Sequence, residues 1–200
     1  MKTNPCDKIG AVILAAGEGK RFGGCKATAQ IDGVSFLEII VGHLKKTNCQ
    51  PIIVVCGSDS DKISGEAARL GIDYAINPDW EKGQFSSLKS GLSKIKDDVC
   101  GALVTLVDHP FVKTETYNLM IDGFVKRPNR IIVPVHDHKR GHPIILPRDI
   151  IKQILMVADD ITLRDIIKNH EAMVVKFRCD DPGVLKDIDT RDDLEKARNS

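Results

Sequence analysis

Short runs of apolar residues alternate along this chain with longer amphipathic stretches. The runs are rich in β-branched residues and predict strands at 9–15, 52–56, 72–76, 102–107, 131–135, 143–146 and 172–177. Ser35, Thr162 and Thr190 are each followed three positions later by Glu or Asp, a spacing typical of helix starts. Strands that are apolar along their whole length are buried on both faces. The pattern therefore predicts an α/β fold with a mainly parallel, twisted sheet and helices on both faces.

The alternation continues along the whole chain without a linker rich in Ser, Pro or Gly, so we predict a single domain over residues 1–200. Lys and Arg number 29 against 28 Asp and Glu, which leaves no overall charge to attract nucleic acid or an anionic membrane surface. No apolar run is long enough to span a bilayer. We therefore expect neither a nucleic-acid partner nor a membrane partner.

Six cysteines are scattered along the chain, and none belongs to a C-x-x-C pair. This spacing argues against a disulfide scaffold and favours a reducing compartment, so we expect a cytoplasmic protein. The first apolar run is short, and a charged, glycine-rich stretch follows it at once, which is unlike a secretory signal peptide. We interpret this run as the first strand.

The glycine-rich stretch after the first strand, GEGKRFGGCK at 17–26, combines a flexible backbone with three cations, Lys20, Arg21 and Lys26. Backbone N–H groups of such a turn form a nest for anions. The spacing matches neither a Walker A loop nor a dinucleotide fingerprint, in which Phe22 would have to be glycine. Clustered cations suit a triphosphate and the charge that develops on departing pyrophosphate. The structural alternative is a surface turn with solvated charges.

Acidic residues follow the strand at 102–107 and precede the helix start at Thr190. Asp108 is placed to give an oxygen ligand to a hard divalent cation such as Mg²⁺. Asp187 and Asp189 share a face if their segment is extended, so either could complete a metal site or merely solvate a turn. We interpret His109, beside a proline, as structural.

The loop LAAGEGKRFGGCK resembles the signature of MobA-like nucleotidyltransferases, although Phe22 stands where that family usually has Met. Further segments are similar, in the same order, to those of molybdenum cofactor cytidylyltransferases: NPDWEKGQFSSLKSGL at 77–92, LVDHPFV at 106–112, RGHPIILPRDI at 140–150, DDITLRDII at 159–167 and DDPGVLKDIDTRDDL at 180–194. The resemblance covers most of the chain. It implies a Rossmann-like nucleotidyltransferase fold.

The resemblance also implies roles for individual residues. Arg21, Lys26 and Asp108 would be catalytic, and Asp108 and Asp189 would bind Mg²⁺. The nucleotide would be held by Leu14, Ala15, Ala16, Gly17, Gly19, Arg21, Lys26, Asn77, Gly83, Gln84, Ser86 and Ser87. Gly141 and His142 would lie on the acceptor side of the cleft. Ala16 is the residue that accompanies cytidine rather than guanine enzymes in this family.

The implied reaction is Mg²⁺-dependent transfer of a nucleotidyl group from CTP to the terminal phosphate of molybdopterin, with release of pyrophosphate. A molybdoenzyme or a chaperone would then be a protein partner. Three alternatives stay open at this point. They are guanylyl transfer to the same acceptor, nucleotidyl transfer to a sugar phosphate or another phosphorylated alcohol, and regulatory nucleotide binding without catalysis.

Overall fold

The computed structural model describes residues 8–198, in which ten strands form one large sheet and one small hairpin. The strands are β1 (Ile9–Leu14), β2 (Gln30–Ile31), β3 (Val34–Ser35), β4 (Cys49–Cys56), β5 (Asp73–Ile76), β6 (Gly101–Leu106), β7 (Ile131–His136), β8 (Lys139–Arg140), β9 (Ile144–Pro147) and β10 (Val174–Arg178). All seven predicted strands are therefore present, with bounds that differ by a few residues. The short strands β2, β3 and β8 were not predicted.

The large sheet has the order β10-β7-β9-β6-β1-β4-β5, and β8 pairs with β7. The pairs β1/β4, β1/β6, β4/β5 and β7/β10 are parallel, which confirms the mainly parallel sheet. Strand β9 runs antiparallel to both β6 and β7. The reversal follows from a tight turn after β7, where Asp137 and His138 have φ of 46° and 62° and send the chain back through β8.

Seven α-helices cover both faces of the sheet in this part of the chain. They are α1 (Phe36–Leu44), α2 (Ser60–Leu70), α3 (Gln84–Leu92), α4 (Thr114–Val125), α5 (Arg148–Met156), α6 (Leu163–Asn169) and α7 (Arg191–Arg198). The predicted starts are confirmed, since the Oγ of Ser35 and the Oγ1 atoms of Thr162 and Thr190 accept backbone N–H groups at the beginnings of α1, α6 and α7. None of the helices within 8–198 is long and apolar enough to cross a membrane.

Two buried clusters of side chains, one on each face, hold the helices on the sheet. Along β1, Ala11 and Ile13 join the cluster that includes residues of α1, α2, α4 and α7, whereas Val12 and Leu14 join the cluster with α3, α5 and α6. This alternation is the period of two expected for a strand that is buried on both faces. The carboxyl ends of β1, β4 and β6 consequently meet at one edge of the sheet, where loops are free to bind a ligand.

Four of the cysteines, Cys25, Cys49, Cys56 and Cys179, form no disulfide, as predicted from their spacing. Cys6 lies outside the described residues. Burial raises the pKa of the Cys49 and Cys56 thiols to about 11, so both stay protonated at neutral pH. These two thiols therefore act as small apolar core residues.

Asp181 ties the segment before α7 to the start of α4. Its carboxylate is buried and accepts the backbone N–H of Lys113 at 3.0 Å, the hydroxyl of Thr116 at 2.5 Å and the backbone N–H of Gly183 at 2.9 Å. The following turn, Pro182–Leu185, offers the carbonyl of Val184 to the backbone N–H of His142 at 2.9 Å. One buried carboxylate thus sets the path of the chain that leads toward Asp189.

We expect Asp181→Ala to lower the free energy of unfolding by about 2–4 kcal/mol, because it leaves three donors without their acceptor in a buried place. Urea unfolding measures the change. Asp180→Ala is the matched control, since the neighbouring Asp180 is exposed and its loss should change the free energy by no more than about 0.5 kcal/mol. Equal effects of the two substitutions would contradict the structural role assigned to Asp181.

Candidate active site

A cleft of about 420 Å³ opens at the carboxyl edge of the sheet, between β1, β6, the glycine-rich loop and the start of α3. Its lining consists of Leu14, Ala15, Ala16, Gly17, Glu18, Gly19, Lys20, Arg21, Lys26, Trp80, Glu81, Gly83, Gln84, Ser87, Leu106, Val107, Asp108 and Asp189. The N-terminal end of α3 faces this cleft and adds the partial positive charge of its free N–H groups. The place is the one at which parallel sheets bind their ligands.

The glycine-rich loop has a defined shape. Gly19 has φ of 63°, and a Cβ at this position would collide with the carbonyl oxygen of Gly24, so glycine is required there. The backbone N–H of Gly23 donates to the carbonyl of Gly19 at 2.9 Å. Phe22 is buried and packs edge-to-face on Phe36 with ring centroids 6.0 Å apart. This aromatic side chain therefore anchors the loop to the core.

The cations of the loop meet two carboxylates at the base of the cleft. Lys26 Nζ donates to Asp108 Oδ2 at 3.2 Å and to Asp189 Oδ1 at 2.7 Å. Arg21 forms an ion pair with the other oxygen of Asp189 at 2.8 Å. The side chain of Lys26 is only 15% exposed, whereas that of Arg21 is 76% exposed. Charges separated by 82 and 163 residues along the chain are thus in direct contact.

A backbone hydrogen bond brings the two aspartates together. The N–H of Ile188 donates to the carbonyl of Asp108 at 2.8 Å, which joins the segment after β6 to the segment before α7. Asp187 is exposed and does not line the cleft, so of the two acidic residues that the sequence left open, Asp189 is the one directed to this place. The hydrogen bond from Lys26, together with the charges of Lys26 and Arg21, lowers the pKa of Asp189, which therefore stays ionised.

The second oxygen of Asp108 has a different environment. Asp108 Oδ1 is buried and accepts no hydrogen bond, and His109 Nε2 lies 3.9 Å from it. A buried, unpaired carboxylate oxygen is costly, so such atoms are concentrated at functional sites. Residues 8–198 contain no group of three or more His, Cys, Asp or Glu side chains placed to hold a metal ion. A metal here would need ligands beyond the two carboxylates.

Most residues implied by the family resemblance line the cleft, but Asn77 and Ser86 do not. Both are buried, and Asn77 Nδ2 donates to the hydroxyls of Ser86 at 2.9 Å and Ser87 at 3.0 Å. Ser86 Oγ also lies 2.8 Å from the carbonyl of Gly83. These contacts fold the segment before α3 onto the helix start. Asn77 and Ser86 therefore shape the wall that Gly83, Gln84 and Ser87 present to the cleft.

The residues assigned to the acceptor side lie in adjoining cavities. His142 lines one of about 360 Å³ and one of about 610 Å³, and Gly141 lines the larger of the two. Gln84 borders both cavities and the main cleft. The rings of His142 and His109 lie 5.5 Å apart, and burial, with a smaller effect of His109, lowers the pKa of His142 to about 4. His142 is therefore neutral at physiological pH.

Trp80 lines the cleft but was not among the predicted site residues. It lies on the short turn Trp80–Lys82 and packs closely against Gly57. A Cβ atom at position 57 would come within 2.8 Å of the Cβ atoms of Trp80 and Ala16. The lone tryptophan of the sequence, inside the segment that resembles a nucleotide-binding loop, was the available signal. Glu18, Glu81, Leu106 and Val107 also line the cleft, and no sequence pattern distinguished them from ordinary loop and strand residues.

Comparisons with known proteins agree with this geometry. The molybdenum cofactor guanylyltransferase of Haemophilus influenzae is 29% identical over 196 residues, which cover 94% of this chain and 97% of that protein. The molybdenum cofactor cytidylyltransferase of Escherichia coli is 23% identical and covers 95% of each chain. The crystal structure of Rv0371c from Mycobacterium tuberculosis superposes with a TM-score of 0.84 at 22% identity, covering 98% of this chain and 99% of that one.

A complex of the Mycobacterium tuberculosis protein with manganese also superposes, with a TM-score of 0.78 at 20% identity over 96% of this chain and 98% of that chain. These structural similarities show that the chain shares its fold with that protein over almost its whole length. The MobA-like NTP transferase domain family matches residues 11–174 of this chain, a range that includes the glycine-rich loop, Asp108, Gly141 and His142. The chain therefore belongs to the MobA-like NTP transferase domain family, and the prediction of a nucleotidyltransferase is confirmed.

Proposed function

We propose that this protein transfers the nucleotidyl group of CTP to the terminal phosphate of a molybdopterin-type acceptor, with Mg²⁺, and releases pyrophosphate. The observation that carries the proposal is the meeting of Lys26 and Arg21 with Asp108 and Asp189 at one end of the cleft. Phosphate-binding cations and metal-binding carboxylates are the two sets of groups that this chemistry needs. The acceptor is inferred from the relatives named for molybdenum cofactor synthesis.

The carboxylates fit a divalent cation. Both side chains offer oxygen donors in contact with the same nitrogen atom, and Asp108 has a buried oxygen without a hydrogen-bond partner. Mg²⁺ commonly takes one or two carboxylates and completes its coordination with water and substrate phosphates. When bound, the ion would neutralise charge on the phosphates of the nucleotide. The manganese complex of a structural neighbour supports a divalent metal.

The residues of the chain bind and orient the reactants. The terminal phosphate of the acceptor forms a bond to the α-phosphorus while the bond from that phosphorus to the β-phosphate oxygen breaks. The attacking phosphate is ionised at neutral pH and needs no protein base. Lys26, Arg21 and the N–H groups of the loop receive the negative charge that grows on pyrophosphate, because interactions stronger in the transition state accelerate the reaction.

The acceptor is proposed to enter from the cavities beyond Gln84. The two cavities at His142 adjoin the nucleotide cleft at Gln84, so an acceptor held there would point its phosphate toward the loop. His142 is neutral, and a neutral imidazole can hydrogen-bond a phosphate without withdrawing its charge. A protein partner and a cytoplasmic location also stay predictions.

Guanylyl transfer is the second candidate, because the relative from Haemophilus influenzae is named as a guanylyltransferase. Ala16 lines the cleft with 4% of its surface exposed, and its methyl group would reduce the space for a base at this end. A single methyl group in a binding pocket discriminates between two substrates by about 1–3 kcal/mol of transition-state free energy. We therefore favour CTP.

A matrix of CTP, GTP, ATP and UTP against molybdopterin and several sugar phosphates tests the function, with pyrophosphate release in the presence of Mg²⁺ as the measurement. We expect molybdopterin to be the preferred acceptor and CTP to exceed GTP in kcat/KM by about tenfold or more, as one methyl group allows. Equal or better use of GTP would overturn the nucleotide assignment. Turnover with sugar phosphates alone would overturn the acceptor, and nucleotide binding without pyrophosphate release would indicate a regulatory module.

We expect Lys26→Ala to lower kcat by about 10²–10³-fold and to change KM for CTP much less, since its charge meets the departing pyrophosphate. Arg21→Lys should also lower kcat, because a point charge cannot replace the guanidinium fork. Steady-state kinetics give both values. Lys62→Ala, which removes an exposed lysine paired with Asp59 outside the cleft, is the control. If Lys26→Ala changed only KM, Lys26 would bind the substrate without stabilising the transition state.

Asp108→Asn and Asp189→Asn should each lower kcat/KM by about 10²–10³-fold, because each removes one carboxylate from the same metal. The double variant should be little worse than the poorer single variant, since residues that act through one ion are not additive. Asp187→Asn is the matched control two positions away, exposed and outside the cleft. If the fold-losses in kcat/KM of the two single variants multiplied in the double variant, the two aspartates would act independently and not through one metal.

A further inference from the structure

The four carboxylate oxygens of Asp108 and Asp189 are already engaged or buried. Lys26 Nζ contacts one oxygen of each residue, at 3.2 Å and 2.7 Å, and Arg21 contacts the second oxygen of Asp189 at 2.8 Å. The remaining oxygen, Oδ1 of Asp108, has almost no contact with solvent. A divalent cation approaching this pair from the cleft therefore meets no oxygen of Asp108 or Asp189 that is both exposed and free of a cationic partner.

The ammonium group of Lys26 contacts the same carboxylate oxygens that a metal held by the two aspartates would need as ligands. An ammonium and a divalent cation repel strongly at such short range, and the low exposure of Lys26 weakens the screening by water. The two cations therefore compete for the same oxygens.

We infer that Lys26 is an exchangeable internal cation, which keeps a free divalent metal out of the Asp108–Asp189 pair and yields its place only when a nucleotide brings the metal. The inference rests on the metal site of the proposed function and adds an order of binding to it. When the triphosphate enters the cleft, its oxygens give Lys26 a new partner, and the carboxylates receive the metal in exchange. After the exchange, the triphosphate has Lys26 as a counter-charge, and the two aspartates have the metal.

The exchange requires the motion of one side chain only. Lys26 begins the short helix Lys26–Thr28, whose next residue, Ala27, is buried in the core. The carbonyl of Ala29 accepts the backbone N–H of Phe36 at 2.8 Å, which fastens this segment to the start of α1. The backbone is thereby fixed while the four-carbon stem of the lysine can rotate. Metal and nucleotide binding are then coupled, and the coupling is reciprocal.

Mn²⁺ binding in the absence of nucleotide tests the inference, with free Mn²⁺ measured by electron paramagnetic resonance. We expect weak binding by the unmodified protein and binding at least about tenfold tighter by Lys26→Met, which is nearly isosteric but uncharged. Lys26→Arg keeps a cation and should bind Mn²⁺ no more tightly than the unmodified protein. Lys62→Met is the control, because Lys62 is an exposed lysine that pairs with Asp59 outside the cleft rather than with either aspartate. It should leave the affinity unchanged.

The double variant Lys26→Met with Asp108→Asn should lose the gain, which places the new binding at the aspartate pair. Equal Mn²⁺ affinity of Lys26→Met and the unmodified protein, or a gain that survives Asp108→Asn, would overturn the inference. Lys26→Gln, with thermal unfolding measured with and without Mn²⁺, replaces Lys26→Met if that variant does not fold. The α,β-methylene analogue of CTP separates the two proposals. An analogue that binds but does not tighten Mn²⁺ binding would contradict the exchange at Lys26. An analogue that does not bind at all would contradict the proposed function, and the comparison of Lys26→Met with the unmodified protein would still decide whether Lys26 keeps the free metal out.

Discussion

The contact of one ammonium group with two carboxylates is the interaction on which the arrangement of the site depends. Lys26, Asp108 and Asp189 come from the loop after β1, the segment after β6 and the segment before α7. Two carboxylates held this close would repel each other without a cation, and one pKa would rise. The loop cation removes that repulsion. Three separate parts of the chain are thus held together by opposite charges at the carboxyl edge of the sheet.

The charges can be placed accurately because the pairing of the strands continues beyond their ends. The N–H of Val107 donates to the carbonyl of Leu14 at 3.1 Å, and the N–H of Ser58 donates to the carbonyl of Ala16 at 3.2 Å. The bond from Ile188 to Asp108 extends the same framework toward α7. Functional groups on such a rigid support keep their geometry without a large entropy cost at the time of reaction.

Sequence reasoning identified what depends on local pattern. Apolar runs predicted the strands, and a carboxylate at the end of a central strand indicated Asp108. Periodicity could not distinguish Asp187 from Asp189, because the choice depends on the bond from Ile188 to Asp108 across the fold. Asn77 was placed in the nucleotide site on resemblance alone, yet its amide is turned inward to two serine hydroxyls. Pairing of Lys26 with the aspartates is likewise a tertiary contact without a sequence signal.

The rigidity of the framework also bears on the choice of nucleotide. The carbonyl of Ala16 is held by Ser58, and Gly57 has no room for a Cβ against Ala16 and Trp80, so this wall cannot retreat from a larger base. Under the proposed function, discrimination at this end would come from a fixed cavity size, which is worth little per methyl group. At the phosphate end, under the inferred exchange, Lys26 and the metal would instead trade partners of opposite charge. Under these two proposals, specificity for the base and binding of the metal are therefore separable properties of one cleft.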